Sequence, residues 1–199
     1  MKLLIGTTNP GKVREFTQLL KDMPFELITP KDLGIEESPE ETGKTLEENA
    51  ILKAQFYLER ANMPLLVDDT GFEIDALNGE PGIKVRRWPG HEATDQELVD
   101  YALEKLKGVP MELRGAMFRA VVGIATDAKN IQLFEGTMRG YIVEEPHYPI
   151  VPGYPFRSLF FAPALGMVLA QAEVEELNNL HRREAMEKAR DFLLTIAKS

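Results

Sequence analysis

The sequence predicts an α/β protein: a mixed β-sheet with helices packed against it. Three observations carry this. The short apolar runs "KLLIG" near the start and "LLVDD" at 65–69 have the length and bounding residues of buried strands. Segments with apolar residues every three or four positions lie between such runs, as amphipathic helices do. Two stretches rich in β-formers and broken by glycine, 114–127 and 130–145, follow one another across a short polar turn. Strands and helices mix without strict alternation, which argues for a mixed rather than an all-parallel sheet.

Each element has its own justification. After "KLLIG", Val13, Phe16 and Leu20 recur at helical spacing and predict a helix beginning near Lys12. Thr8 or Asn9 would cap it, with Pro10 in the first turn, where a missing N–H costs nothing. A second helix is expected from Thr45 to Arg60, with Leu46, Ala50, Ala54 and Leu58 on one face. Lys44 and Glu48, and Asn49 and Lys53, line its polar faces at the same spacing. "PLLVDDTGF" follows as an apolar strand that ends abruptly in two acids. "ATDQELVDYALEKL" predicts a third helix, opened by Thr94 and Glu97 as a capping box. The stretches 114–127 and 130–145 predict paired strands, and "HYPIVPGYPFRSLFFAP" a proline-broken aromatic loop. The tail 173–197 predicts helix in two pieces. No repeat or linker divides the chain, so a single domain over 1–199 is expected.

Composition limits the function classes. With no cysteine among 199 residues, disulfides, thiolate metal sites and a cysteine nucleophile are excluded, and a reducing cytoplasm is compatible. A formal charge of −9 repels nucleic-acid backbones and anionic membranes, so neither is an expected partner. Small phosphorylated ligands remain compatible, because a local basic pocket or a metal overrides the global sign. The opening "MKLLIG" lacks the basic flank and cleavage site of a signal peptide. No apolar run approaches the ~20 residues of a membrane span. The expectation is a soluble cytoplasmic protein.

Three clusters carry candidate chemistry. "TTNPGK", residues 7–12, stands at a strand–helix junction, where free backbone N–H groups and the helix dipole favour an anion. Gly11 allows close backbone approach, Thr7, Thr8 and Asn9 offer hydrogen bonds, and Lys12 adds charge. A plain N-cap followed by a surface lysine fits the spacing equally well. The stretch is not a Walker A loop, which needs a longer glycine spacing and a Ser/Thr after the lysine. Asp68-Asp69 ends an apolar strand, and successive strand side chains point to opposite faces. Buried acids need partners. A hard cation such as Mg²⁺, held by one or two carboxylates plus phosphates, is one such partner, and a turn aspartate before Thr70-Gly71 is the plainer alternative. The acidic stretch "IEESPEETG", 35–43, must be mostly solvated. His181-Arg182 suits either a base or phosphate edge or an ordinary solvated helix face.

Five stretches together resemble the inosine triphosphate pyrophosphatase family: "TTNPGKVREF", "EETGKTLEENAILKA", "VDDTGFEIDALNGEPGI", "GHEATDQ" and "EGTMRGYIVEEP". They occur in the family's order and spacing over roughly the first three-quarters of the chain. The resemblance implies a long, twisted mixed β-sheet flanked by helices, two lobes around a nucleotide cleft, and a homodimer. It implies Mg²⁺-dependent hydrolysis of a nucleoside triphosphate substrate to a monophosphate and pyrophosphate. Carried over by motif, Thr7, Thr8, Asn9, Pro10, Gly11 and Lys12 would cradle the triphosphate. Glu41 and Asp69 would hold the metal, and Asp69 or the metal would activate water. Thr70 would contact substrate, Asn49 and Lys53 would line the phosphate side, and Arg87 matches an arginine after the family's "PG" turn. Such chemistry relies on charge neutralisation and positioning more than on a side-chain nucleophile, and Lys12 and Lys53 would offset charge on the departing pyrophosphate.

The last quarter departs from the family. Its F-G-Y-D-P stretch falls on Tyr154, Pro155, Phe156, Arg157 and Ser158, and its base-reading lysine and serine near Leu177 and Leu180, while His181 and Arg182 persist. Aromatics at both ring positions keep base stacking available. The acid has become Arg157, a donor-only fork, which favours a base edge rich in acceptors; alternatively, Arg157 points to solvent. The resulting expectation is conserved phosphate chemistry with altered base selection. A non-hydrolysing nucleotide sensor or regulator is the second reading, favoured by the lost lysine.

Overall fold

The computed structural model describes residues 1–172 and 181–198. The elements are β1 (Lys2–Ile5), α1 (Pro10–Leu19), β2 (Glu26–Ile28), α2 (Leu46–Ala61), β3 (Leu65–Ile74), β4 (Pro81–Gly82), α3 (Asp95–Lys105), β5 (Gly115–Asp127), β6 (Asn130–Ile142), β7 (Phe160–Ala162), β8 (Met167–Val168) and α4 (His181–Ile196). Strands pair in the order β2-β1-β3-β5-β6-β7-β8, with β4 on β3. β1 pairs parallel to both β2 and β3, whereas β3–β4, β6–β7 and β7–β8 are antiparallel. The sheet is mixed, as the sequence predicted.

The chain forms two compact units. One contains Met1–Thr70, Ala120–Gly136 and α4; the other contains Gly71–Arg119 and 137–172.

The first unit sorts its side chains by the two-residue period of its strands. Leu3, Ile5 and Leu66 face one way and pack with Phe16 and Leu20 of α1 and Ala185, Ala189 and Leu193 of α4. Leu4, Leu65 and Val67 face the other way and pack with Ala54 and Tyr57 of α2. The pleat therefore gives each face its own helices. Gly136 on β6 lets α4 come close, because a Cβ there would collide with the His181 carbonyl and the Ala185 nitrogen.

In the second unit, Phe72 stacks on Phe156 at 4.5 Å between centroids and meets Phe118 and Phe160 at 4.5 and 6.0 Å. Arg114 is buried and ties three backbone carbonyls together, those of Val109, Val143 and Leu106. Thr94 and Glu97 form the expected capping box on α3.

Several boundaries differ from expectation. α1 begins at Pro10 rather than near Lys12, because Asn9 is its cap. On α2, Asn49 and Lys53 are buried although their spacing suggested a polar face. β3 does not end at its two acids but continues to Ile74, since both carboxylates find charged partners and need not reach water. The aromatic loop contains a short strand, β7. β2, β4 and β8, of three, two and two residues, are too short to show a period. The first piece of the expected tail helix, 173–180, lies outside the described residues. No helix among the described residues is long and apolar enough to cross a membrane.

Candidate functional site

The amino end of α1 is organised by its own side chains. Asn9 Oδ1 accepts from the N–H groups of Gly11 (2.8 Å) and Lys12 (3.4 Å), and Thr7 Oγ1 accepts from the Asn9 N–H (3.2 Å). The N-cap is therefore present, but the lysine after it is no surface residue. Lys12 Nζ lies 3.0 Å from Asp68 Oδ1, and its side chain is 17% exposed. Thr8 is exposed and its hydroxyl meets that of Ser38 at 3.2 Å.

Asp68 and Asp69 adopt the opposite orientations that a strand dictates. Asp68 shares the face of α1 and α4. Besides Lys12, its Oδ2 accepts from Arg182 Nε (3.0 Å) and from the Thr70 hydroxyl (2.9 Å). Arg182, at the start of α4, also donates to Glu15 Oε2 (2.8 Å) and to Thr70 Oγ1 (3.0 Å). Burial alone would raise the Asp68 pKa, but Lys12, Arg182 and Lys53 outweigh it and hold the carboxyl far below the usual carboxylate range. Burial lowers the Lys12 ammonium below its ordinary value, with Asp68 pulling the other way.

Asp69 faces α2. Lys53 Nζ is 2.7 Å from Asp69 Oδ1, 2.7 Å from Glu41 Oε1 and 3.1 Å from the Asp68 carbonyl. Asn49 joins the two halves of this group: its Nδ2 donates to Asp69 Oδ2 (3.1 Å), and its Oδ1 accepts from the Gly43 N–H (2.8 Å). That second bond anchors the segment carrying Glu41. Gly43 must be glycine here, since a Cβ would fall about 2.6 Å from Asn49 Oδ1. Burial raises the Asp69 pKa above its ordinary value, with Lys53 opposing. Burial alone would lower that of Lys53, but Asp69, Glu41 and Asp68 together raise it, so Lys53 remains an ammonium.

Most sequence-nominated residues of the first unit thus meet in two linked groups, joined through the adjacent residues Asp68 and Asp69 on β3. Glu15 was not nominated, although its place three residues after Lys12 puts both on one helix face, a spacing that signals such a network. His181 is buried at the first position of α4. The remaining nominees lie in the second unit. Arg87 is exposed, 3.5 Å from Glu92. Phe156 is buried, and Trp88, which sequence reasoning passed over, meets it edge-on at 5.9 Å. Arg157 does not point to solvent: it is 6% exposed, with its guanidinium 3.9 Å above the Tyr154 ring. Leu177 and Leu180, where the family's lysine and serine would fall, lie outside the described residues.

Among the described residues no group of three or more acid or histidine side chains is arranged to hold a metal. Two carboxylates, Glu41 and Asp69, nevertheless share one cation, the Lys53 ammonium. These are hard oxygen donors, two in number, and they leave most of an octahedral shell to water and phosphate. That donor set fits Mg²⁺, which is commonly bound through one or two carboxylates plus substrate phosphates.

The chain is similar to known proteins along nearly its whole length. A dITP/XTP pyrophosphatase of Thermoanaerobacter sp. (strain X514) is 37% identical over 195 residues, covering 98% of this chain and 97% of that protein. One from Yersinia pseudotuberculosis serotype I (strain IP32953) is 38% identical, covering 96% and 98%. The structure of the Staphylococcus aureus Ham1 protein superposes with a TM-score of 0.82 at 31% identity, covering 97% and 98%. The Ham1 family matches residues 3–192, and with these relatives it shows that the chain belongs to that family, in agreement with the inosine triphosphate pyrophosphatase motifs.

Proposed function

We propose that the chain is a nucleoside triphosphate pyrophosphatase. It hydrolyses an aberrant or modified nucleoside triphosphate to the monophosphate and pyrophosphate, with Mg²⁺, and so clears such nucleotides from the pool. One observation carries the reading. Adjacent carboxylates on β3 divide their work, Asp68 engaging the lysine at the amino end of α1 and Asp69 sharing a cation with Glu41. The dITP/XTP pyrophosphatase relatives support the same reaction type.

The residues then take these roles. Thr7 to Lys12, at the positive end of α1, receive the triphosphate. Lys12 and Lys53 neutralise charge that builds on pyrophosphate as the bond between the α- and β-phosphates breaks. Asp69 orients the attacking water and takes its proton, and Asn49 fixes that carboxylate. Thr70 contacts substrate and braces Asp68. Glu41 and Asp69 would hold the magnesium. The chemistry magnesium supplies when bound is neutralisation of phosphate charge and acidification of water.

Base choice is the second half of the proposal. Tyr154, Phe156, Arg157, His181 and Arg87 serve it, and Arg157 in place of an acid turns preference toward acceptor-rich base edges. Burial of the arginine against Tyr154 supports a fixed donor rather than a surface charge. Homodimer assembly completes the reading, and sedimentation analysis would check it.

The test is pyrophosphate release across a panel of ribo- and deoxyribonucleoside triphosphates, with Mg²⁺ and with chelator. Turnover confined to the magnesium arm is expected. Tight binding of nucleotides without turnover of any would favour a sensor instead. In the same panel, Arg157→Asp should move preference toward inosine triphosphate by tenfold or more, the scale set by a mismatched hydrogen-bonding group; an unchanged ranking would remove Arg157 from base selection.

A further inference from the structure

We infer that Lys53 is a resident cation of the Glu41–Asp69 pair, displaced when a metal-bearing triphosphate arrives, so that metal and phosphate bind as one coupled event. The inference rests on the magnesium reading above and adds an order to it.

Lys53 Nζ donates to Asp69 Oδ1 and to the Asp68 carbonyl, and it forms an ion pair with Glu41 Oε1 at 2.7 Å. The other Asp69 oxygen is taken by Asn49. The two carboxylates that suit a divalent ion are therefore already spanned by a fixed positive charge. The side chain is buried on α2, so it is held in place by packing as well as by charge.

Were Glu41 and Asp69 to hold a metal, Lys53 would have to give up its contacts with both carboxylates. Metal alone gives the freed ammonium nowhere to go, since leaving a buried charge without partners is costly. A phosphate chain supplies acceptors for it. The arrangement thus makes metal binding weak without phosphate and strong with it, and linkage makes the enhancement mutual. Glu41 can yield its share most readily: it lies outside regular structure and its side chain is 51% exposed. Lys12 lacks this property, because it pairs with Asp68, which faces the other side of the sheet.

The test uses Mn²⁺ alone as the probe, titrated into nucleotide-free protein and read by electron paramagnetic resonance. Lys53→Met should bind Mn²⁺ at least tenfold more tightly than wild type. Lys53→Gln, which keeps a donor in the pocket, should tighten it similarly and guards against misfolding of the first variant. Lys12→Met removes an equal charge from Asp68 and should change Mn²⁺ affinity less than threefold. With inosine α,β-methylene triphosphate present, wild type should gain Mn²⁺ affinity and Lys53→Met should gain far less. Equal Mn²⁺ affinity in wild type and both Lys53 variants, or an equal gain in Lys12→Met, would overturn the resident-cation inference alone. Absence of Mn²⁺ binding in every protein, with the analogue present, would overturn the magnesium reading and this inference with it.

Discussion

Asp69→Asn is expected to reduce kcat by about 10²–10⁴-fold, the range for loss of a positioned general base, while leaving the fold unchanged. The asparagine keeps the shape of the side chain, and its amide oxygen can still accept from Lys53 or Asn49, which now hold the two Asp69 oxygens. What disappears is the negative charge that shares a cation with Glu41 and the basicity that takes a proton from water. Pyrophosphate release and circular dichroism on the same preparation separate these effects. Near wild-type turnover in a folded variant would remove Asp69 from the mechanism. Glu41→Gln offers a graded comparison: its carboxylate is half exposed, so loss of charge there disturbs metal binding without stranding a buried partner.

The second large effect is on stability. Arg182→Met leaves Asp68, whose side chain is fully buried, and Glu15 without their guanidinium partner. Breaking such a pair by removing one member costs about 3–5 kcal/mol, a fall in Tm on the order of 10 °C for a chain of this size. Differential scanning calorimetry reads it directly. If Arg182 instead serves mainly to meet substrate, Tm will hold and KM will rise. The pH dependence moves with it. Asp68 is held below its unfolded value, so its contribution is present above about pH 4 and lost as pH falls through the lower folded pKa. Without Arg182 that folded pKa rises, and acid unfolding should begin at a higher pH than in wild type.

Much of the architecture was legible because its signals are local. The buried faces of α1 and α2 follow from helical spacing, the cap of α3 from Thr94 and Glu97 three positions apart, and the paired strands β5 and β6 from runs of β-formers on either side of a short polar turn. Short elements such as β4 and β8 escape this, because two residues carry no period and form only where a neighbouring strand offers hydrogen bonds. The acids at 68–69 were legible as chemically costly, but the inference that the strand stops there was not correct: β3 runs on to Ile74 because both charges are matched.

The sequence by itself determined the chemical repertoire: a strand–helix junction with a lysine, two adjacent acids, and lysine and asparagine four residues apart on one helix. Only the tertiary structure decided which charge answers which. Arg182 reaches Asp68 across 114 positions of sequence, and Lys53 reaches Glu41 and Asp69 rather than water. The physical reason is that a strand turns successive side chains to opposite faces, so the helices packed on each face choose the partners, and burial makes every unmatched charge too costly to keep.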